Sequence, residues 1–174
     1  MAVILIDSCV VTDLAAPESV WFEWSASTLE RLDQNNTMVI NPIVYAECSV
    51  GFERIEEVDA LFESLGFPIK PIPKEALFLA GKVFLQYKKR KGEKGNVLPD
   101  FFIGAHAAVS GYSLITRDRG RFSSYFPGVE FMPNITMFRN GDRFFRHPML
   151  ENHCCLFSRR ANSVVFRASA KIVN

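Results

Sequence analysis

The chain has no long hydrophobic run, no paired cysteines and little histidine. The first apolar stretch, Ala2 to Ile6, stops after five residues at Asp7. No segment approaches the ~20 apolar residues that cross a bilayer, so a membrane span is excluded. The four cysteines, Cys9, Cys48, Cys154 and Cys155, show no spaced-pair pattern, and no secretory signal precedes them. A disulfide framework is therefore not expected, and a reducing cytoplasm is the expected compartment. Only three histidines occur in 174 residues, which suits a chemistry that needs no imidazole. There is no internal repeat and no strong charge excess, the net charge being +1.

Hydrophobic residues make up 48% of the chain, enough for a sizeable core and against wholesale disorder. The charge is unevenly spread. Residues 1–132 carry 13 Lys and Arg against 17 Asp and Glu, whereas residues 133–174 carry 7 against 2. Apolar periodicity also fades after Pro133. These two shifts predict a globular domain over 1–132 followed by a basic tail over 133–174.

Within the domain, Ala2 to Ile6 reads as a strand buried on both faces, being short, apolar and branched. Helical spacing runs from Val20 to Gln34, with Val20, Trp24, Leu29 and Leu32 in phase. Thr37 to Asn41 is a second strand, and Pro42 suits the first turn of the helix after it. Ile55 to Leu65 is amphipathic, with Ile55, Val58, Phe62 and Leu65 on one side and Gly66 as its C-terminal cap. Phe67 to Ile72 is a third strand, whose prolines favour an edge. Lys74 to Arg90 and Pro99 to Ser110 are helices; Ser113 to Thr116 and Val129 to Met132 are the fourth and fifth strands. Alternating strands and helices predict an α/β fold with a central, mainly parallel sheet flanked by helices.

Four acids stand where the apolar segments stop. Asp7 ends the first strand, and Glu47 lies just over a helical turn past Asn41-Pro42. Asp100 follows Pro99, and Asp118 follows Leu114-Ile115. In an open α/β sheet the carboxyl ends of the strands share one edge, where ligands bind. Carboxylates gathered there repel one another by about 3 kcal/mol per pair at ~5 Å and an effective dielectric of ~20. A hard divalent cation such as Mg²⁺ or Mn²⁺, which prefers oxygen ligands, relieves that repulsion.

The segments Ile4-Leu5-Ile6-Asp7-Ser8, Asn41-Pro42-Ile43-Val44-Tyr45-Ala46-Glu47, Leu98-Pro99-Asp100-Phe101-Phe102-Ile103-Gly104-Ala105 and Leu114-Ile115-Thr116-Arg117-Asp118 together resemble the PIN-domain ribonucleases. The likeness is strongest to the VapC toxins of prokaryotic toxin–antitoxin pairs. It covers roughly residues 3–132, with the motifs in order and at the expected spacing. It implies a PIN-like, Rossmann-like three-layer fold and an Mg²⁺-dependent endoribonuclease leaving a 5′-phosphate and a 3′-hydroxyl. Asp7, Glu47, Asp100 and Asp118 are then the catalytic and metal-ligating acids, with Ser8 and Thr116 supporting them. It also implies a VapB-like antitoxin and a homodimer. Cys9 stands where the family more often has Asn, and the tail after Pro133 lies outside the likeness.

Each residue also has a plainer reading. Asp7 as an N-cap, Asp100 as a dipole-complementing acid and Asp118 as a turn residue are each reasonable alone. Four acids at matching places are not explained that way. Glu47 is the most telling, since its neighbours Val44, Ala46 and Cys48 are apolar or small and an unpaired buried carboxylate is costly. Lys88, Lys89, Arg90 and Lys91 form a solvated helix end or a contact for RNA phosphates. Arg117, Arg119 and Arg121 are placed to soften the repulsion between the acids and a polyanionic substrate. His106 reads as a packed core residue, and Trp21 and Trp24 as core or dimer-face residues. His153-Cys154-Cys155 looks like a metal half-site without a second half.

Two competing functions follow. One is a non-catalytic PIN-like module that binds RNA or protein. The other is a phosphotransfer domain of receiver or haloacid-dehalogenase type. The latter lacks its signature, because Asp7-Ser8-Cys9 is not Asp-x-Asp and no second acid or late lysine is placed for a receiver.

Overall fold

A computed structural model of the chain describes residues 1–90 and 98–132. Its centre is a parallel sheet of β1 (Ala2–Ile6), β2 (Asn36–Val39) and β3 (Ser113–Ile115), in the order β2-β1-β3. The central strand is the most apolar one, and Ile4, Leu5 and Ile6 are fully buried. Leu5 lies in register with Val39 on one side and Leu114 on the other. The outer strands foreseen at Phe67–Ile72 and Val129–Met132 shrink to single parallel bridges, Ile40 with Ile69 and Leu114 with Phe131. Pro68 and Pro71 flank the first of these bridges, and a proline has no N–H to extend a ladder.

Seven helices flank the sheet among the described residues: α1 (Ser8–Ala15), α2 (Phe22–Asp33), α3 (Pro42–Ser49), α4 (Ile55–Leu65), α5 (Lys74–Lys89), α6 (Leu98–Ser110) and α7 (Arg119–Tyr125). This is the α/β architecture, a central parallel sheet flanked by helices, that the alternating strands and helices predicted. Each strand runs at its carboxyl end into a helix: β1 into α1, β2 into α3 and β3 into α7. Asn41 sets the start of α3 by accepting from the backbone N–H of Ile43 and Val44, both at 3.0 Å, with Pro42 in the first turn. His106 is packed in the core as expected, 3.4 Å from the Asn41 amide. Gly66, at φ 72°, supplies the left-handed cap of α4.

Three details differ from the sequence reading. Ile55 is 64% exposed, and Leu61 takes its place on the buried face of α4. Helix α2 begins at Phe22, leaving Val20 outside it. Trp24 packs against the core, but Trp21 is 40% exposed and is not a core residue.

Helices α5 and α6 form an antiparallel hairpin, in which Phe84 and Tyr87 of α5 meet Phe101 at the start of α6. This brings the end of α5 against the start of α6. Lys91 and residues 133–174, including His153-Cys154-Cys155, lie outside the described residues. Helix α7 seats on α6 through Gly104. A Cβ there would run into the Phe126 ring and come within 3.0 Å of Phe122. Gly104→Ala is therefore expected to destabilise the fold by about 1–3 kcal/mol, despite alanine's better helix propensity. A thermal melt of the variant checks this, and unchanged stability would show that α7 does not need the close approach.

Candidate active site

Asp7 is the first residue past β1, and its position is fixed from several sides. Its backbone N–H continues the β1–β3 ladder to the Ile115 carbonyl at 3.0 Å. Although Asp7 occupies the N-cap position of α1, its side chain makes no cap hydrogen bond. The carboxylate is engaged elsewhere. Thr116 Oγ1 donates to Oδ2 at 2.6 Å, Cys9 Sγ donates to the same oxygen at 3.2 Å, and Ser8 Oγ reaches Oδ1 at 3.5 Å. Thr116 Oγ1 also accepts from the Asp118 backbone N–H at 3.1 Å, tying the end of β3 to the end of β1. Plain capping therefore does not account for Asp7.

Cys9 is one of the neutral donors to Asp7. Burial first, and the neighbouring Asp7 charge second, push its thiol up to about 12. The thiol thus stays protonated and serves as a donor to Asp7.

The other acids converge on the same edge. Asp7, Ser8, Cys9, Asp100, Arg117 and Asp118 line an open pocket of about 420 Å³. Glu47, on α3, is not among the lining residues, but it is close enough to interact with them. Burial raises its carboxyl above the ordinary value, the Ser8 hydroxyl opposes the rise, and the charges of Asp7 and Asp100 add to it. Its Oε2 is buried without a hydrogen-bond partner. Asp100 is raised in the same way, by burial first, with Arg121 opposing and Asp7 and Asp118 adding. All four predicted acids therefore share one electrostatic neighbourhood.

Arg121 is the cation nearest that neighbourhood. Its guanidinium pairs with Asp100 and, at 3.4 Å, with Asp118 Oδ2. Asp118 also caps α7 by accepting from the Arg121 backbone N–H, so its plainer reading holds in part. Arg117 lines the pocket, whereas Arg119 does not. Lys88 and Arg90 lie over the Phe84 and Tyr125 rings, and neither they nor Lys89 lines the pocket.

The donor set fits a hard divalent cation. It is all oxygen, two of its carboxyls are raised by burial first and by neighbouring acids second, and one buried oxygen lacks a hydrogen-bond partner. Among the described residues, however, no three His, Cys, Asp or Glu side chains stand close enough together to chelate an ion as placed. Arg121 holds Asp100 and Asp118 instead. The guanidinium thus occupies charge that a metal ion would use.

An α/β fold with an acidic pocket at the carboxyl edge of its parallel sheet defines the class. The PIN domain family matches residues 4–125, and the chain belongs to that family. The fold is similar to that of VapBC2 from Rickettsia felis, which was solved bound to a DNA fragment from their promoter. The two superpose with a TM-score of 0.57 at 20% identity, over 74% of this chain and 96% of the other. VapBC-1 from nontypeable Haemophilus influenzae gives 0.55 at 20% identity, over 74% and 96%. No curated protein matches the chain.

Two outcomes are expected. Ionised Glu47 is disfavoured in the fold, so the folded chain holds that proton more tightly than the unfolded chain does. The resulting penalty is full at neutral pH and is relieved as pH falls through the raised value toward the ordinary 4.5. In EDTA, Glu47→Gln should melt above the parent chain at pH 7, with the gap closing in acid; a lower melting point at pH 7 would contradict this. Arg121→Ala should raise Mg²⁺ affinity severalfold by calorimetry, since a resident counter-charge is lost, and weaker binding would show that Arg121 helps to hold the ion.

Proposed function

We propose that this chain is an Mg²⁺-dependent endoribonuclease of the VapC type, with Mn²⁺ as an alternative ion, neutralised by a cognate VapB-like antitoxin. Its family and the neighbourhood of Asp7, Glu47, Asp100 and Asp118 support the reading, because PIN domains are generally nucleases. The single observation that carries most weight is the buried, unpartnered Glu47 Oε2 beside Asp7 and Asp100. An ionised carboxylate in this position is stabilised by a cation beside it.

Asp7, Glu47, Asp100 and Asp118 would hold the ion. A bound divalent cation polarises a phosphate oxygen, makes water a better nucleophile and stabilises the leaving oxygen. Thr116, Ser8 and Cys9 orient Asp7 so that its carboxylate faces the pocket. Arg117 presents positive charge to the RNA at the pocket, and Lys88, Lys89 and Arg90 extend it along the α5 end. In the sequence, Lys91 follows Arg90 and Arg119 lies two residues past Arg117, and both are proposed to contact RNA. Partner surfaces are also available, as Leu77, Phe78 and Leu85 of α5 are exposed, which suits a homodimer or an antitoxin helix. Among the described residues no helix is long and apolar enough to cross a membrane, and we place the protein in the cytoplasm.

A second reading, a non-catalytic RNA- or protein-binding module, draws on one observation, the Arg121 bridge between Asp100 and Asp118. Incubating RNA with the full chain in Mg²⁺ or EDTA separates the two. Endonuclease activity requires metal-dependent fragments bearing 5′-phosphates, and Asp7→Asn should reduce their formation on the order of a thousandfold while the fold persists. Equal cleavage by Asp7→Asn, or none by the parent chain, would overturn the nuclease reading.

A further inference from the structure

The buried carboxylate of Asp13 lies outside the acidic cluster. It sits on α1 and is only 3% exposed. Ser25 Oγ of α2 donates to Oδ2 at 2.7 Å, and Ser19 Oγ reaches Oδ1 at 3.5 Å. Its charge partner is Arg117, whose Nη1 lies 3.3 Å from Oδ1. The Arg117 side chain is 29% exposed, lies 5.5 Å over the Trp21 ring and lines the acidic pocket.

The two arginines near the pocket are therefore held differently. Arg121 takes its counter-charges from Asp100 and Asp118, which belong to the site. Arg117 takes its own from Asp13, between α1 and α2, and leaves the site's carboxylates alone. A guanidinium has five N–H donors in a planar fork. The Asp13 contact uses one edge, and Trp21 covers one face. The Arg117 side chain also hydrogen-bonds Cys9, and it lines the pocket, where contact with a phosphate is favourable. Surface arginines lose side-chain entropy when they grip a ligand, whereas Arg117 is already immobilised.

We propose that Asp13 is a positioning residue that locks Arg117 as a phosphate-binding group beside the acidic cluster. The inference rests on the nuclease reading for its substrate, an RNA phosphate next to the cleaved one. Ser25 and Ser19 fix Asp13, Asp13 fixes Arg117, and Arg117 binds the backbone.

The test is binding of a short, labelled single-stranded RNA to the full chain in EDTA, followed by fluorescence anisotropy across salt concentrations. Arg117→Ala and Asp13→Asn should each weaken binding about fivefold to tenfold. Each should also lower the salt slope by about 0.7, the loss of one phosphate contact. The double variant should be no worse than Arg117→Ala, because Asp13 acts only through Arg117. Ser25→Ala is the milder companion should Asp13→Asn not fold; its partial loss should vanish in the Arg117→Ala background. A Ser25 or Asp13 effect that persists without Arg117, or parent-like binding by either single variant, overturns the proposal. Mg²⁺-dependent cleavage by the parent chain is read in parallel. Cleavage by the parent with unaltered binding in the variants defeats the positioning role alone. A parent chain that neither binds nor cleaves RNA defeats the nuclease reading, and this inference with it.

Discussion

Repulsion among carboxylates held at one sheet edge is the constraint around which this structure is arranged. Parallel strands end together and feed α1, α3 and α7, and α6 brings in Asp100, so residues 7, 47, 100 and 118 share one neighbourhood although the chain separates them widely. Folding alone would not favour such a meeting. The raised carboxyls of Glu47 and Asp100 reflect burial first and that repulsion second, and Glu47 Oε2 is buried without a hydrogen-bond partner.

The surrounding structure limits that cost in two ways. Neutral donors (Thr116, Cys9 and Ser8) surround Asp7 and hold its orientation without cancelling its charge. Arg121, delivered by α7, balances Asp100 and Asp118. That arginine can reach them because α7 lies tight on α6 at Gly104, where a methyl group would collide with Phe126. Packing in the core thus sets an electrostatic relation at the surface. A guanidinium is bulky and tethered, however, and Glu47 Oε2 stays without a hydrogen-bond partner beside it.

Much of this was legible in the sequence for local reasons. β1, α4 and its Gly66 cap, and the Pro42 helix start all follow from residues within a turn or two of one another. The convergence of Asp7, Asp100 and Asp118 was legible because each sits at a strand end or helix start, and Glu47, a turn into α3, joins their electrostatic neighbourhood. The edge strands were not, because apolar content at 67–72 and 129–132 says nothing about how many ladder bonds form, and these segments pair only once each. Ile55 fell in the right phase but at the helix entrance, where the core does not reach it. Asp13 was missed although a signal existed, since it interrupts the apolar face formed by Val10, Val11 and Leu14. Its partner Arg117 lies more than a hundred residues away, and only the β1–β3 pairing brings the two together. Trp21 lies outside the core, one of its two expected places, and carries the Arg117 guanidinium over its ring.

The central claim is that the converged acids await a cation. A crystal of the full chain grown with Mn²⁺ and examined by anomalous scattering tests it most directly. The account predicts a peak in the pocket about 2.1–2.2 Å from Asp7 and at least one of Glu47, Asp100 and Asp118, with Arg121 displaced from Asp100. A fully formed crystal in which Mn²⁺ sits elsewhere, or in which Arg121 keeps both carboxylates at saturating Mn²⁺, would contradict it.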